Sequence, residues 1–274
     1  MNSIILSKEG HHWIYYKKGF ISVEDPSKNI SIGKLELNDL LSKYRDSLYV
    51  RWVSSFDNNE EGDYWYVLRS EPYDISTLPS KTRNQIRKCL KTCEVKRVSG
   101  EQLVAWGGYD VYMDEMNRYR ERGLLATTVL SEDDYAAWMK SEVQDIWAVI
   151  NEEKVIAYAL CRRVGKCINL VTWKADFTHY KLLYPIYGML YVIVNEYMAS
   201  GEISYVYDGG RSMTEHSNVQ EFLLTKMGFR KANVKLNAYF RWWLRPLLAI
   251  MSPFETKITN NKIKSLVRLY KWSR

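Results

Sequence analysis

The sequence predicts a mixed α/β fold, and three observations carry the prediction. Between Asp145 and Trp173, three strand-like runs (Ile146 to Ile150, Val155 to Cys161, Cys167 to Trp173) are joined by turns at Asn151-Glu152-Glu153-Lys154 and Val164-Gly165, which reads as a β-meander. Leu182 to Ser200 is apolar nearly all round, with Pro185 in its first turn and Gly201 as a stop, the pattern of a buried core helix. An apolar strand from Ile203 to Asp208 then meets Gly209-Gly210-Arg211 and, after a polar loop, a helix whose Val219, Phe222, Leu223 and Met227 share one face. Ser217 and Gln220 form an S-x-x-Q capping box at its start, and Gly228 stands at the C′ position of its end.

The preceding elements follow from the same signals. Met1 to Asp46 reads as short strands, a hairpin around Asp25-Pro26 and a helix near Leu37 to Tyr44. Leu48 to Phe56 and Tyr64 to Leu68, separated by the acidic turn-rich Asp57 to Asp63, read as a β-hairpin. Pro79-Ser80 opens a helix with Ile86, Cys89, Leu90 and Cys93 on an apolar stripe and Arg83, Arg87, Lys88 and Lys91 elsewhere. After Gly100 a helical stretch breaks at Gly107-Gly108 and resumes with Tyr112, Met116 and Tyr119 until Gly123, and Ser131 caps a third helix carrying Tyr135, Trp138 and Met139. A last strand runs from Val234 to Phe240.

With 274 residues, 46% of them hydrophobic, the chain can bury a large core as one large domain or two small ones. The net charge of +7 is unevenly placed: eleven Lys or Arg against Glu255 alone from Arg230 to Arg274, and seven against Glu94 alone from Lys81 to Arg97. Two basic patches therefore ride on an acidic body, each either a contact for phosphate, nucleic acid or anionic lipid, or an ordinary solvated face. The tail, beginning Arg241-Trp242-Trp243-Leu244-Arg245, interleaves cations with apolar and aromatic residues and fits a membrane surface, tRNA or packing on the body. Cys89, Cys93, Cys161 and Cys167 form no C-x-x-C pair and read as reduced packing thiols; no metal is expected. No signal peptide opens the chain, so a cytoplasmic location is expected, with peripheral contact at the inner membrane face through the tail. The apolar run at Leu182 to Val194 is too short to span a bilayer.

The order of elements from Asp145 to Phe240 resembles the GNAT acyltransferase fold, and Leu224-Thr225-Lys226-Met227-Gly228-Phe229-Arg230 is similar to that superfamily's Y-E-K-L-G-F-R close. Within it the chain looks most like the FemAB-type branch of aminoacyl and acyl transferases. Leu78 to Lys91 resembles that branch's basic R-x-x-I-R-K helix, His179 to Tyr187 its entry to the core helix, and Tyr207-Asp208-Gly209-Gly210 its D-x-G-G turn. The resemblance implies a mixed, mostly antiparallel sheet flanked by helices. It also implies a divergent N-terminal GNAT-like half over 1–125, in a degenerate tandem arrangement, an acyltransferase core over 126–240 and the basic aromatic tail over 241–274.

The same resemblance implies an acyl donor, acyl-CoA or aminoacyl-tRNA, and a small amine acceptor. CoA users of the superfamily carry a glycine-rich pyrophosphate loop before the buried helix; here that segment, Ala175 to Lys181, has no glycine. Lys174, His179 and Lys181 stand there instead, with Tyr184 and Tyr187 at the helix start as either cleft or packing aromatics. Asp208, at its strand tip, is the candidate proton acceptor or a cap of the Gly209-Gly210 turn; His216, beside Glu215, is the candidate proton-transfer histidine, and Arg211 the candidate clamp for phosphate or carboxylate. Three functions stand: acyl or aminoacyl transfer to an amine, tRNA-dependent peptidyl transfer, and a non-catalytic binding scaffold.

Overall fold

The computed structural model describes residues 4–123, 129–140, 145–213 and 218–274. The chain opens with β1 (Ile4–Leu6), β2 (His12–Tyr16) and β3 (Gly19–Ser22), paired antiparallel in sequence order. Lys17 and Lys18 take φ of 49° and 65°, the two-residue turn whose twist matches a hairpin, so the hairpin falls here and not at Asp25-Pro26. Helix α1 (Lys34–Lys43) crosses to β4 (Tyr49–Asn58), which runs parallel to β3. α1 presses Leu37, Leu40 and Leu41 onto Trp13, Phe20 and Val50. Glu36, buried on the same helix, accepts from the Trp13 indole N–H at 3.2 Å and faces His11 Nδ1 at 3.0 Å, the partners a buried carboxylate requires.

β5 (Trp65–Arg69) leads to α2 (Ser80–Thr92), which turns Ile86 and Cys89 inward and leaves Lys81, Arg87, Lys88 and Lys91 in solvent. After β6 (Glu94–Val98) the helical stretch breaks as its glycines dictate: α3 (Gly100–Ala105) ends at Gly107, φ 88°, and α4 (Gly108–Glu121) begins beside it. α5 (Glu132–Met139) is capped by Ser131, whose hydroxyl accepts from the Asp134 N–H. The expected meander follows as β7 (Asp145–Asn151), β8 (Lys154–Val164) and β9 (Cys167–Ala175). Beyond the single-turn α6 (Phe177–Tyr180), Pro185 opens α7 (Pro185–Ala199), and α7 meets α2 at Gly188, where a Cβ would stand 2.4 Å from the Cys89 sulfur. β10 (Tyr205–Gly210) and α8 (Val219–Lys226) come next; Asn218 holds the N-cap position of α8, and Ser217 of the expected capping box lies outside the described residues. The C-terminal end of α8 is as expected, with Gly228 at φ 61° and the Phe229 N–H returning to the Leu223 carbonyl. β11 (Arg230–Phe240), α9 (Leu244–Met251) and α10 (Asn261–Trp272) complete the chain.

Compactness groups these elements into two units interleaved along the sequence, a different criterion from the linear halves implied by resemblance. One unit holds Met1–Tyr66, Gly210–Ser217 and Lys231–Arg274; the other holds Val67–Gly209 and Asn218–Arg230. In the first, the strands run β1-β2-β3-β4-β11, and β11 pairs antiparallel with β4, Leu236 opposite Val53 and Tyr239 opposite Val50. Because β3 and β11 take both edges of β4, the expected hairpin of β4 with β5 does not form. Phe240, Leu244, Leu248, Val267 and Tyr270 join β11, α9 and α10 in one core.

In the second unit the strands run β10-β9-β8-β7-β6, antiparallel except for β9 with β10. Leu103, Tyr112, Met116, Tyr135 and Met139 of α3, α4 and α5 cover the face bearing Ile146, Ala148, Tyr158 and Leu160. α7 covers the opposite face, where the Tyr197 hydroxyl accepts from the Trp147 indole at 3.2 Å. The fold is thus mixed α/β, a mostly antiparallel sheet flanked by helices. Among the described residues no helix is long and apolar enough to cross a membrane.

Candidate functional site

β9 and β10 share only three parallel pairs, from Tyr205 opposite Cys167 to Tyr207 opposite Asn169, although β9 continues to Ala175 and β10 to Gly210. The ladder stops one residue short of Asp208. There the Trp173 indole N–H donates to Asp208 Oδ1 at 3.0 Å, bridging the strands by side chains where the backbone no longer does. Trp173 packs on Phe222 of α8 at 6.1 Å between centroids, and Phe222 meets Tyr187 of α7 edge-on at 5.1 Å. Tyr187 in turn lies edge-on to Tyr184 at 6.0 Å. The carboxyl thus meets the first ring of an aromatic row that runs from Trp173 through Phe222 to Tyr187 and Tyr184. Burial pushes it up to about 7, with the Trp173 hydrogen bond pulling the other way. At neutral pH such a group exchanges protons readily, which an exposed aspartate does not.

The glycines after Asp208 have separate reasons. Gly209 needs its φ of 83° and has open space where a side chain would stand, whereas a Cβ on Gly210 would lie 2.3 Å from the Tyr64 hydroxyl. Gly210 and Arg211 belong to the first unit. The Arg211 guanidinium lies over Trp65 at 4.2 Å and Trp272 at 4.5 Å, and its Nη1 donates to the Asp63 carbonyl at 2.6 Å. Its fork is engaged in holding that unit together. His216 lies outside the described residues.

Lys174 neighbours Trp173 on β9 but faces the other side of the sheet, because successive strand residues alternate. It stands opposite Tyr158, in the core under α4, and its Nζ sits 5.6 Å from the Tyr112 ring and 5.7 Å from the Tyr119 ring. Lys174 and Asp208 are therefore not brought together. Burial lowers the Lys174 pKa, and the attraction of Glu115 opposes it. A depressed lysine binds fewer protons in the folded state, so its stability penalty is full below the lowered value and is relieved as pH rises above it. Lys174→Met is expected to raise the melting temperature at pH 7 and to flatten its rise toward alkaline pH; an unchanged pH dependence would show the ammonium to be well solvated.

The segment in place of the glycine loop is already hydrogen-bonded. The Phe177 N–H donates to Asp114 at 3.1 Å, the His179 N–H to Asp176 at 2.9 Å, and the Tyr180 N–H to the Asp176 carbonyl. The exposed His179 ring meets the Asp176 carboxyl at 2.9 Å through Nδ1. Two carboxylates and no free run of N–H groups make a poor fit to the pyrophosphate of CoA. Tyr184 takes the left-handed conformation, φ 54°, at the N-cap of α7, with Lys88 Nζ 5.6 Å from its ring. Among the described residues no group of three or more His, Cys, Asp or Glu is placed to hold a metal ion.

Sequence reasoning singled out Asp208 and Tyr187 but missed Trp173, the residue that touches the carboxyl. Its signal was present: a large indole on the strand face opposite Lys174, whose N–H needs a partner once buried.

No protein-family profile and no curated protein sequence matches the chain. Solved structures do. FemX aligns with a TM-score of 0.52 at 11% identity, over 88% of this chain and 83% of its own. The C-terminal domain of a candidate lysylphosphatidylglycerol synthetase from Agrobacterium fabrum aligns with a TM-score of 0.52 at 10% identity, over 91% of this chain and 86% of its own. At these identities the likeness is one of fold alone.

Proposed function

We propose that the chain transfers an acyl group, in the finer reading an aminoacyl group, to an amine at the parted tips of β9 and β10. The observation that carries the reading is Asp208, a carboxyl that accepts from the Trp173 indole at the point where the two strands stop pairing, with burial raising its pKa. In direct transfer the neutral amine attacks the acyl carbonyl. Asp208 takes the proton the nitrogen sheds as the C–N bond forms, and that proton leaves with the departing oxygen as the ester C–O bond breaks. No covalent enzyme intermediate is required.

The engaged N–H groups of Phe177, His179 and Tyr180 favour an aminoacyl ester of tRNA over acyl-CoA as donor, a FemAB-like chemistry. The exposed cations of α2, Lys81, Arg87, Lys88 and Lys91, suit phosphate contacts, and Lys88 sits beside Tyr184 at the N-terminus of α7. The test presents the full chain with charged tRNA or acyl-CoA and a panel of amines, and follows labelled acyl transfer. Transfer from charged tRNA, with binding that falls steeply as salt rises, is expected. Transfer from acyl-CoA alone would reverse the donor assignment, and no transfer from any donor would leave the scaffold reading.

A further inference from the structure

Within the first unit, α9 buries Leu244 and Leu248 in the core it shares with β11 and α10. Helical periodicity then sets Trp243, Leu247 and Ile250 on the adjoining flank, and the following turn carries Phe254 along the same line. None of these four is covered: Ile250 is 69% exposed and Phe254 55%, and Trp242 beside them is 86% exposed. Scattered apolar residues on a surface need no explanation, but a continuous aromatic and aliphatic ridge on one short helix does.

The charge around the ridge is one-sided. Residues 241–274 hold eight Lys or Arg and a single acid, Glu255. That acid is already engaged, accepting from Arg268 Nε at 2.8 Å and Lys271 Nζ at 2.7 Å. Arg241 is likewise engaged, donating to the Leu41 and Ser47 carbonyls. Arg245, Lys257 and Lys262 are left exposed in the same segment, and among the described residues none of the three forms an ion pair.

We propose that this ridge docks in the plane of an anionic lipid bilayer, with Trp242, Trp243, Leu247, Ile250 and Phe254 at the acyl–headgroup boundary and Arg245, Lys257 and Lys262 on the headgroups. Amphipathic helices with Trp and Leu on one face and cations beside it partition into this zone, and each basic residue near an anionic surface adds to the attraction. A second copy of the chain would bring the same cations together with nothing opposite them. Nucleic acid would satisfy the cations and stack on the tryptophans but leave Leu247 and Ile250 without an apolar partner. A bilayer answers both halves of the surface.

The test is flotation of the full chain with vesicles of phosphatidylcholine plus phosphatidylglycerol against phosphatidylcholine alone, together with tryptophan emission. The chain is expected to float with the anionic vesicles, with a blue shift, and to bind the neutral ones about tenfold or more weaker. Ile250→Glu with Phe254→Glu should abolish flotation while leaving the circular dichroism and melting temperature unchanged, since neither side chain is buried. Arg245→Glu with Lys262→Glu should remove the preference for phosphatidylglycerol. Flotation that survives the first pair, equal binding to both vesicles, or a wild-type chain that ignores vesicles and sediments as a ridge-dependent dimer would each overturn the proposal. Transferase activity enters none of these readouts.

Discussion

Asp208→Asn is expected to cut acyl transfer by about 10²- to 10⁴-fold, the range for losing a positioned proton acceptor. The wild-type pH–rate profile should climb on a limb near pH 7, set by the raised Asp208 carboxyl, and the variant should lack that limb. Stability moves the opposite way. The folded-state value, about 7, lies above the ordinary 3.8, so between those pH values the folded chain holds a proton that the unfolded chain releases. The stability this group contributes is full at low pH and is lost as pH rises through the window. Asparagine escapes that loss, so the variant should be more stable than the parent by roughly 2–4 kcal/mol at about pH 8, and should converge with it in acid. A variant that keeps its rate, or shows no alkaline gain, would remove Asp208 from the chemistry.

Trp13→Ala should cost about 3–5 kcal/mol and lower the melting temperature on the order of 10 °C. Trp13 is fully buried between α1 and the β-strands of the first unit, so truncation opens a large cavity. It also strips the indole donor from Glu36, leaving that buried carboxyl with His11 alone. Trp13→Phe, which refills most of the volume without the donor, should fall between the two in a denaturant titration. A loss below about 1 kcal/mol for alanine would show that this core does not rest on the indole.

Much of the second unit was legible because its signals are local. Glu152 and Glu153 sit in a two-residue turn the sequence marked, Pro185 starts α7 where it should, and Gly228 closes α8 with the left-handed geometry that glycine supplies. The pairing of β4 was not legible. Its neighbour β11 comes from far along the chain, and nothing local to Leu48–Leu68 distinguishes an edge left for a distant strand from a hairpin. The candidate site divides along the same line. Asp208 at a strand tip before two glycines could be read directly, whereas Trp173 became visible only once the register fixed which face of β9 it occupied. That register also turned Lys174, expected at the donor-binding segment with His179 and Lys181, into the core beneath Tyr112 and Tyr119. Arg211 could not be read at all, since the rings that hold it come from Trp65 and Trp272.

The pairing of β4 with β11 bears on how the chain is made. Trp52 pairs with Asn237, and the core around Phe240 draws on Tyr49 as well as on Tyr270 near the last residue. During synthesis the opening 66 residues emerge long before the strand that completes their sheet, while Val67–Gly209 is contiguous and emerges whole but for the α8 segment. Contacts so far apart in sequence close slowly. β4 therefore leaves the ribosome as an unpaired edge, and its aromatic face is the part of the nascent chain most exposed to chaperones or to aggregation until β11 arrives.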